Sequence, residues 1–440
     1  MSSRYAYLIA MVAAISGLLF GFDTAVINGA LIFLRADLGL TTRGTELATT
    51  SLLFGCAVGA GCAGWLTDRL GRKRILIVSA LLFGASAIGA AVPRTLAEFV
   101  AARVVGGLAI GVASVLAPLY IAEISPRAIR GRLVSLNQMA IVSGILLAYF
   151  VNWLLSFAGP SSWRWMFASA AVPSIVFFAA LLVVPESPRF LVEQGREPEA
   201  LAVLTRVGGA GQARLELAEI RDTIAQESGT LRELFARRLR KPLGIAVFLA
   251  VFQQITGINT VIYYGSLIFK DQVGGQSDSA AIGANVIIGS VNFLMTIVAL
   301  WLIDRLGRRP LMLLASAGMA LSLFALGLFF RLQPPPAVMI LLVILLYVAS
   351  FGVGLGPGVW VVISELFPTR IRGRAMSIAT LCLWLACILI TVTFLSLVEA
   401  IGSSGAFWLY AAMSVVNFLF IWRVMPETKG RSLEEIERSW

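Results

Sequence analysis

The 440-residue chain has no histidine, and only 13% of its residues are charged. The first absence removes the imidazole base, the Cys–His dyad and the His-ligated metal centre from consideration. Cysteine is scarce as well. Cys56, Cys62, Cys382 and Cys387 all lie inside apolar runs, so they read as small packing residues and not as a disulfide framework or a zinc site. There is no phosphate loop, nucleophile motif or cofactor fingerprint, and neither an enzyme nor a bound cofactor or metal is expected. An ordinary soluble chain carries about 25% charge and roughly 45–50% apolar residues, whereas 58% of this one is hydrophobic. The solvent for such a composition is a lipid bilayer. Spans of about 21 residues use up its roughly 255 hydrophobic positions at about twelve helices. A net charge of +11 would point to nucleic acid in a soluble protein. Here it reports membrane orientation, and no nucleic-acid partner is expected.

Apolar runs bounded by charges or turn residues fall near 6–33, 47–66, 75–92, 98–122, 133–157, 164–184, 243–268, 281–303, 311–330, 338–364, 375–398 and 405–425. The first follows a short head and contains Asp23 in place of a small-residue cleavage site, so a retained helix is expected and not a signal peptide. An even number of spans puts both termini on one side. With the N-terminus placed in the cytoplasm, 28 basic residues fall on the cytoplasmic side and six on the opposite side, while Arg103 lies within the fourth run. The positive-inside rule therefore predicts cytoplasmic N- and C-termini. Residues 186–242 are polar, with ten basic and nine acidic residues and helical spacing of Leu201, Leu204, Leu215, Leu217 and Ile220. A cytoplasmic linker of short amphipathic helices is expected there. It would join a six-helix bundle at 1–185 to a second at 243–425, followed by a cytoplasmic tail at 426–440.

The two halves repeat. WLTDRLGRKR (65–74) returns as WLIDRLGRRP (301–310), and EISPRAIRGRLVS (123–135) returns as ELFPTRIRGRAMS (365–377). VPES (184–187) returns as MPET (425–428), and GFDTAVINGALIF (21–33) is echoed by GINTVIYYGSLIF (257–269). Four matched pairs in one order at nearly one offset indicate duplicated six-helix halves, the architecture that rocks around a central site to alternate access.

Over nearly its whole length the chain resembles the sugar porter family of the major facilitator superfamily, which includes proton–sugar symporters and glucose facilitators. The resemblance is carried, in order, by GFDTAVING, DRLGRKR, PLYIAEISPRAIRGRLVSLNQ, VPESPRFLVEQGR, QQITGIN, DRLGRR, GPGVW, SELFPTRIRGRA and PETKGRSLEEIE. It implies an all-α integral membrane protein with the major facilitator fold: twelve transmembrane helices in two pseudo-symmetric six-helix bundles. It also implies a monosaccharide or related polyol as the substrate. By the same resemblance Asp23 and Arg103 match the proton-coupling pair of symporters, whereas facilitative relatives commonly carry an amide at the position of Asp23. Gln138, Gln253, Gln254, Asn259, Asn292 and Trp360 fall on sugar-binding positions, with Gly356 lining the site. Two departures stand out. Leu383, Cys387 and Ile145 occupy positions where many members place amides, and Ala170 one where some symporters have another membrane carboxylate.

The residues themselves lead to a compatible reading. Asp23 and Arg103 fall well inside apolar runs, where a centred charge costs about 2.5–3.5 kcal/mol, so they are expected to face each other or a wet cavity. A static structural ion pair is the plainer alternative. A pyranose presents paired hydroxyls to flat amides and a C–H face to aromatic rings. That chemistry adds Phe20, Tyr263, Tyr264 and Trp384 to the substrate candidates, with aromatic packing as their alternative. Asn28 and Asn152 are expected to be interhelical hydrogen bonders. At the helix ends stand Asp68, Arg72, Glu123 and Arg130, repeated as Asp304, Arg308, Glu365 and Arg372. They either hold the orientation or form a cytoplasmic gate of acid–arginine pairs.

The expected function is proton-coupled import of a sugar or polyol across the cell (inner) membrane by alternating access, with sugar, proton and lipid bilayer as partners of a functional monomer. A facilitative uniporter is the first alternative, and Asp23 argues against it. A non-transporting sugar receptor is the second, and a longer signalling tail would be expected than the about 15 residues after the last run. The lack of any Asn-x-Ser/Thr sequon fits a bacterial inner membrane.

Overall fold

The computed structural model describes residues 2–126, 129–226, 234–236, 239–273, 277–367 and 369–429. The first half contains α1 (Ser2–Asp37), α2 (Thr42–Leu70), α3 (Arg72–Ala91), α4 (Leu96–Ile124), α5 (Arg130–Leu155), α6 (Ser162–Ala168) and α7 (Ala171–Val183). Three short helices follow: α8 (Pro188–Glu193), α9 (Glu197–Gly208) and α10 (Ala210–Gln226). The second half contains α11 (Arg240–Ile255), α12 (Ile258–Leu267), α13 (Asp278–Leu306), α14 (Arg308–Phe329), α15 (Ala337–Val353), α16 (Leu355–Glu365) and α17 (Thr369–Val424). Among the described residues, eleven helical spans are long and apolar enough to cross a membrane. The last of these covers 52 residues, about 78 Å at 1.5 Å per residue and more than twice the hydrocarbon thickness of about 30 Å. Gly402, at φ 74°, breaks it into two. Twelve crossings result, as the sequence predicts.

Lipid offers no hydrophobic drive for helix to meet helix, so close backbone packing must supply the attraction. Small residues make it possible. Gly55 and Gly59 on α2 face Gly107 and Gly111 on α4: a Cβ on Gly107 would lie 1.9 Å from the Leu52 carbonyl oxygen, and one on Gly111 2.2 Å from that of Cys56. Gly21 and Gly144 do the same for α1 and α5, where added Cβ atoms would come within 1.9 Å of Ile141 O and 2.1 Å of Leu18 O.

The repeated GRKR and GRRP motifs build matching corners on the side of the linker. Gly71 (φ 89°) and Gly307 (φ 94°) turn the chain between α2 and α3 and between α13 and α14, in a region of backbone space that favours glycine. The repeated VPES and MPET segments then cap the helices that follow. Glu186 accepts the Arg72 and Lys73 amides, both at 3.0 Å, and Glu427 accepts those of Arg308 and Arg309, both at 3.1 Å. A carboxylate at a helix N-terminus satisfies free N–H groups and complements the dipole. In the linker, α9 reaches α1 through Arg206 stacked 4.5 Å above Tyr5. It also pairs with α10 through Arg221 and Glu197, and the hydrogen bonds from Arg221 hold the Glu197 carboxyl below its usual range.

Candidate functional site

Two transmembrane helices of the second half are broken where the first half has continuous ones. Between α11 and α12 the chain turns at Gly257 (φ 91°), where a Cβ would also lie 2.6 Å from the Tyr410 ring. Between α15 and α16 it breaks at Gly354. The first break places Gln253 and Gln254 on the last turn of one segment and Asn259 on the first turn of the next, so that QQITGIN aims three amides into one place. They form a chain. Asn259 donates to Gln254 Oε1, Gln254 donates to Gln253 Oε1 at 3.1 Å, and Gln253 Nε2 donates to the carbonyls of Leu355 (2.8 Å) and Gly356 (3.0 Å) at the start of α16. Asn259 also meets Cys387 Sγ at 3.0 Å, and the Tyr263 hydroxyl lies 3.9 Å from the same sulfur.

Phe20 of α1 lies against Trp384 of α17 with ring centroids 5.9 Å apart, joining the two halves. The indole N–H of Trp384 is buried and has no hydrogen-bond partner among the described residues. Trp360, half-buried, stands one helical turn beyond Gly356 on α16. Gln138 on α5 is half-buried and Asn292 on α13 is buried, and neither joins the amide chain through a described side-chain hydrogen bond. Tyr264 turns elsewhere: its hydroxyl donates to Thr391 O at 2.8 Å and its ring packs 5.3 Å from Phe394. The wall of α17 near the amides is Leu383, Trp384 and Cys387, all buried.

The charges at 23 and 103 meet. Arg103 is wholly buried and Asp23 nearly so, with Nη1 donating to Asp23 Oδ1 at 2.6 Å and Nη2 to the Asp23 carbonyl at 2.8 Å. The guanidinium lies 5.2 Å from the Phe167 ring centroid. Its Nε and the neighbouring Ser86 hydroxyl are buried without a partner among the described residues. A charge-assisted bond of this length is strong, and removing either member would strand a buried charge.

On the linker side the acid–arginine pairs form within each half. Arg72 binds Glu123 in bidentate fashion at 3.0 and 3.1 Å, and Ser187 donates to the same carboxylate. In the second half Arg308 binds Glu365 at 2.9 Å and Thr428 donates to it at 2.6 Å. Arg130 donates instead to the Ser125 carbonyl, at 3.3 Å. Asp68 interacts with its surroundings as well. The side chains of Asp304 and Arg372 lie outside the described residues. Sequence reasoning missed Glu186, Glu427, Ser187 and Thr428 as members of these clusters, although the VPES and MPET repeat was the signal that pointed to them.

The described hydrogen bonds that tie the halves together lie on the side opposite the linker. Asn28 of α1 donates to Ile262 O (2.7 Å) and Asn285 Oδ1 (3.2 Å) and accepts from the Ser266 amide (3.0 Å), while Tyr149 donates to Ile262 O at 3.0 Å. Glu46 of α2 accepts from Ser396 of α17, and Thr42 donates to Glu399. Arg35 and Asp271 form an exposed salt bridge at 2.6 Å, a kind worth about 0–1 kcal/mol. The far side is therefore shut in this structure. Asn152, by contrast, bonds within its own half, to Val26 O at 2.9 Å.

A twelve-crossing bundle with broken helices around a central amide cluster and a buried ion pair has the make-up of a secondary transporter. The chain matches the family model "Sugar (and other) transporter" over residues 9–440, and it belongs to that family. It is 41% identical to the arabinose-proton symporter of Bacillus subtilis over 446 aligned positions, covering 100% of this chain and 96% of that one. The D-xylose-proton symporter of Escherichia coli is 38% identical, with the same two coverages. Among solved structures, the partially occluded inward-open form of the xylose transporter XylE from E. coli superposes with a TM-score of 0.87 at 35% identity, covering 98% of this chain and 100% of that one.

Proposed function

We propose that the protein imports a monosaccharide or related polyol together with a proton, by alternating access of two bundles (1–185 and 243–425) about a central site. Sugar recognition is assigned to Gln138, Gln253, Gln254, Asn259, Asn292, Gly356, Trp360 and Trp384, with Phe20 and Tyr263 as aromatic neighbours. Tyr264 serves the packing of α12 against α17. The amide chain supports this assignment, because each amide keeps donor or acceptor capacity that a sugar hydroxyl can take up. The unpaired Trp384 N–H adds a buried donor awaiting a ligand.

The observation that carries the coupling is the buried Asp23–Arg103 pair. Asp23 ionised holds Arg103, and Asp23 protonated releases it, so helix movement and proton binding are linked through one contact. The relatives named as proton symporters for arabinose and xylose support the same direction. Arg72–Glu123 and Arg308–Glu365, with Asp68, Arg130, Asp304 and Arg372, are assigned to gating on the linker side. That side is placed in the cytoplasm of a cell (inner) membrane, with both termini there and the monomer as the working unit.

The test is uptake of a labelled pentose, hexose and polyol panel into vesicles containing the purified protein, with and without an imposed pH gradient, acid outside. Accumulation of at least one sugar above its external concentration, only when the gradient is present, is the expected result. Equilibration to the same final level in both conditions identifies a uniporter. Binding without uptake identifies a receptor.

A further inference from the structure

Glu46 is a carboxylate that the proton and sugar chemistry above does not use, yet it is 97% buried, at 3% exposure, one turn inside α2. It spans the two halves: Ser396 N donates to Oε1 and Ser396 Oγ to Oε2, each at 2.7 Å. Among the described residues no cation lies within salt-bridge distance of it. One turn closer to the far surface the roles reverse, and Thr42 of α2 gives its hydroxyl to Glu399 of α17. Thr42 and Glu46 are four residues apart on one helix face, and Ser396 and Glu399 three apart on the other, the spacings at which helical side chains stack on one side. Each helix thus offers one hydroxyl and one carboxylate to its opposite. Among the described residues, Glu399 stands one turn away at Thr42 and Tyr264 lies close enough to interact electrostatically with Glu46, its hydroxyl donating to Thr391 O.

We propose that this reciprocal clasp holds the far side shut, with Glu46 as the positioning residue that makes closure conditional on the register of α17. The inference rests on alternating access and is independent of which substrate is carried. The physical reason is the cost of a buried anion. When the far side opens, Glu46 is hydrated. When it closes, both oxygens lose water, and only the two donors of Ser396, delivered together, replace it. Closure in any other register leaves an unpaired buried charge. The exposed Arg35–Asp271 bridge imposes no such condition, because water serves either partner after the bridge parts.

Hydrogen–deuterium exchange on the full-length protein in lipid nanodiscs tests the clasp. Ser396→Ala removes the hydroxyl donor and leaves half of the carboxylate unsatisfied in the closed state. Peptides spanning 42–50 and 391–401 should then exchange about five-fold or more faster, as expected for the loss of one charge-assisted hydrogen bond. Peptides at the linker-side ends, 118–126 and 361–367, should exchange more slowly, because the two sides open in alternation. Adding Glu46→Gln should return both sets towards the unmodified protein, since a neutral amide tolerates a missing donor better than a carboxylate does. Faster exchange confined to the far side, with no protection on the linker side, would reduce Ser396 to a local packing residue and overturn the proposal. So would a double variant that exchanges like Ser396→Ala alone.

Discussion

Gln254 is the middle link of the amide chain, accepting from Asn259 and donating to Gln253. Its truncation therefore removes both a donor and an acceptor, while truncation of Asn259 removes an end whose other contact is the weak acceptor Cys387 Sγ. If these amides bind sugar hydroxyls, each loss costs about 1–3 kcal/mol, or roughly five- to more than a hundred-fold in affinity. Gln254→Ala should weaken binding more than Asn259→Ala, and titration calorimetry on purified protein with the best substrate of the uptake panel reads both. Unchanged affinity in the two variants would remove the amide chain from the site. At this scale the sequence was legible in an uneven way. QQITGIN pointed to three amides because polar residues inside an apolar run are conspicuous, and Asp23 and Arg103 stood out for the same reason. Tyr264 sits beside Tyr263 in sequence, and no local pattern reveals that only one of the two meets Cys387 while the other is tied to Thr391.

Between α2 and α4 the contact is made by backbone against backbone, and its dependence on glycine separates packing from propensity. Gly107→Ala places a methyl 1.9 Å from Leu52 O, so the helices must part, and the purified protein should melt several degrees lower. Gly61→Ala, on α2 itself, meets nothing within 4 Å and gains helix propensity worth up to about 1 kcal/mol. It should melt at or above the temperature of the unmodified protein. Equal losses in both variants, measured by thermal unfolding in detergent, would mean that the α2–α4 approach is not where stability resides. The elements were largely readable in advance, because twelve apolar runs and a duplicated set of corner motifs leave few ways to arrange them. What escaped were contacts joining unrelated places. Glu46 and Ser396 are 350 residues apart and belong to neither repeat. Glu46 also falls just outside the run 47–66, so by position it reads as a solvated loop acid.

At the scale of the whole molecule, the proposed coupling asks one buried pair to convert a proton gradient into sugar accumulation. With the far side shut, Asp23 and Arg103 are in contact at 2.6 Å and buried. The contact is a charge-assisted bond that binds α1 to α4. A proton taken up from the far side would neutralise Asp23, release Arg103 and permit the bundles to rock. Its departure on the linker side would restore the pair. One charge falling through 100 mV is worth about 2.3 kcal/mol, enough for roughly fifty-fold accumulation of sugar before a pH difference is added. Asp23→Asn imitates the protonated state permanently. It should abolish accumulation against a gradient while leaving sugar affinity within about two-fold, since a neutral amide beside Arg103 disturbs the amide chain little, and exchange of labelled for unlabelled sugar across the vesicle membrane should persist. Arg103→Ala should be worse, because it strands a buried carboxylate and costs folded protein as well as transport. Concentrative uptake by Asp23→Asn under an imposed proton gradient would assign the coupling to another group and leave the Asp23–Arg103 pair a purely structural one.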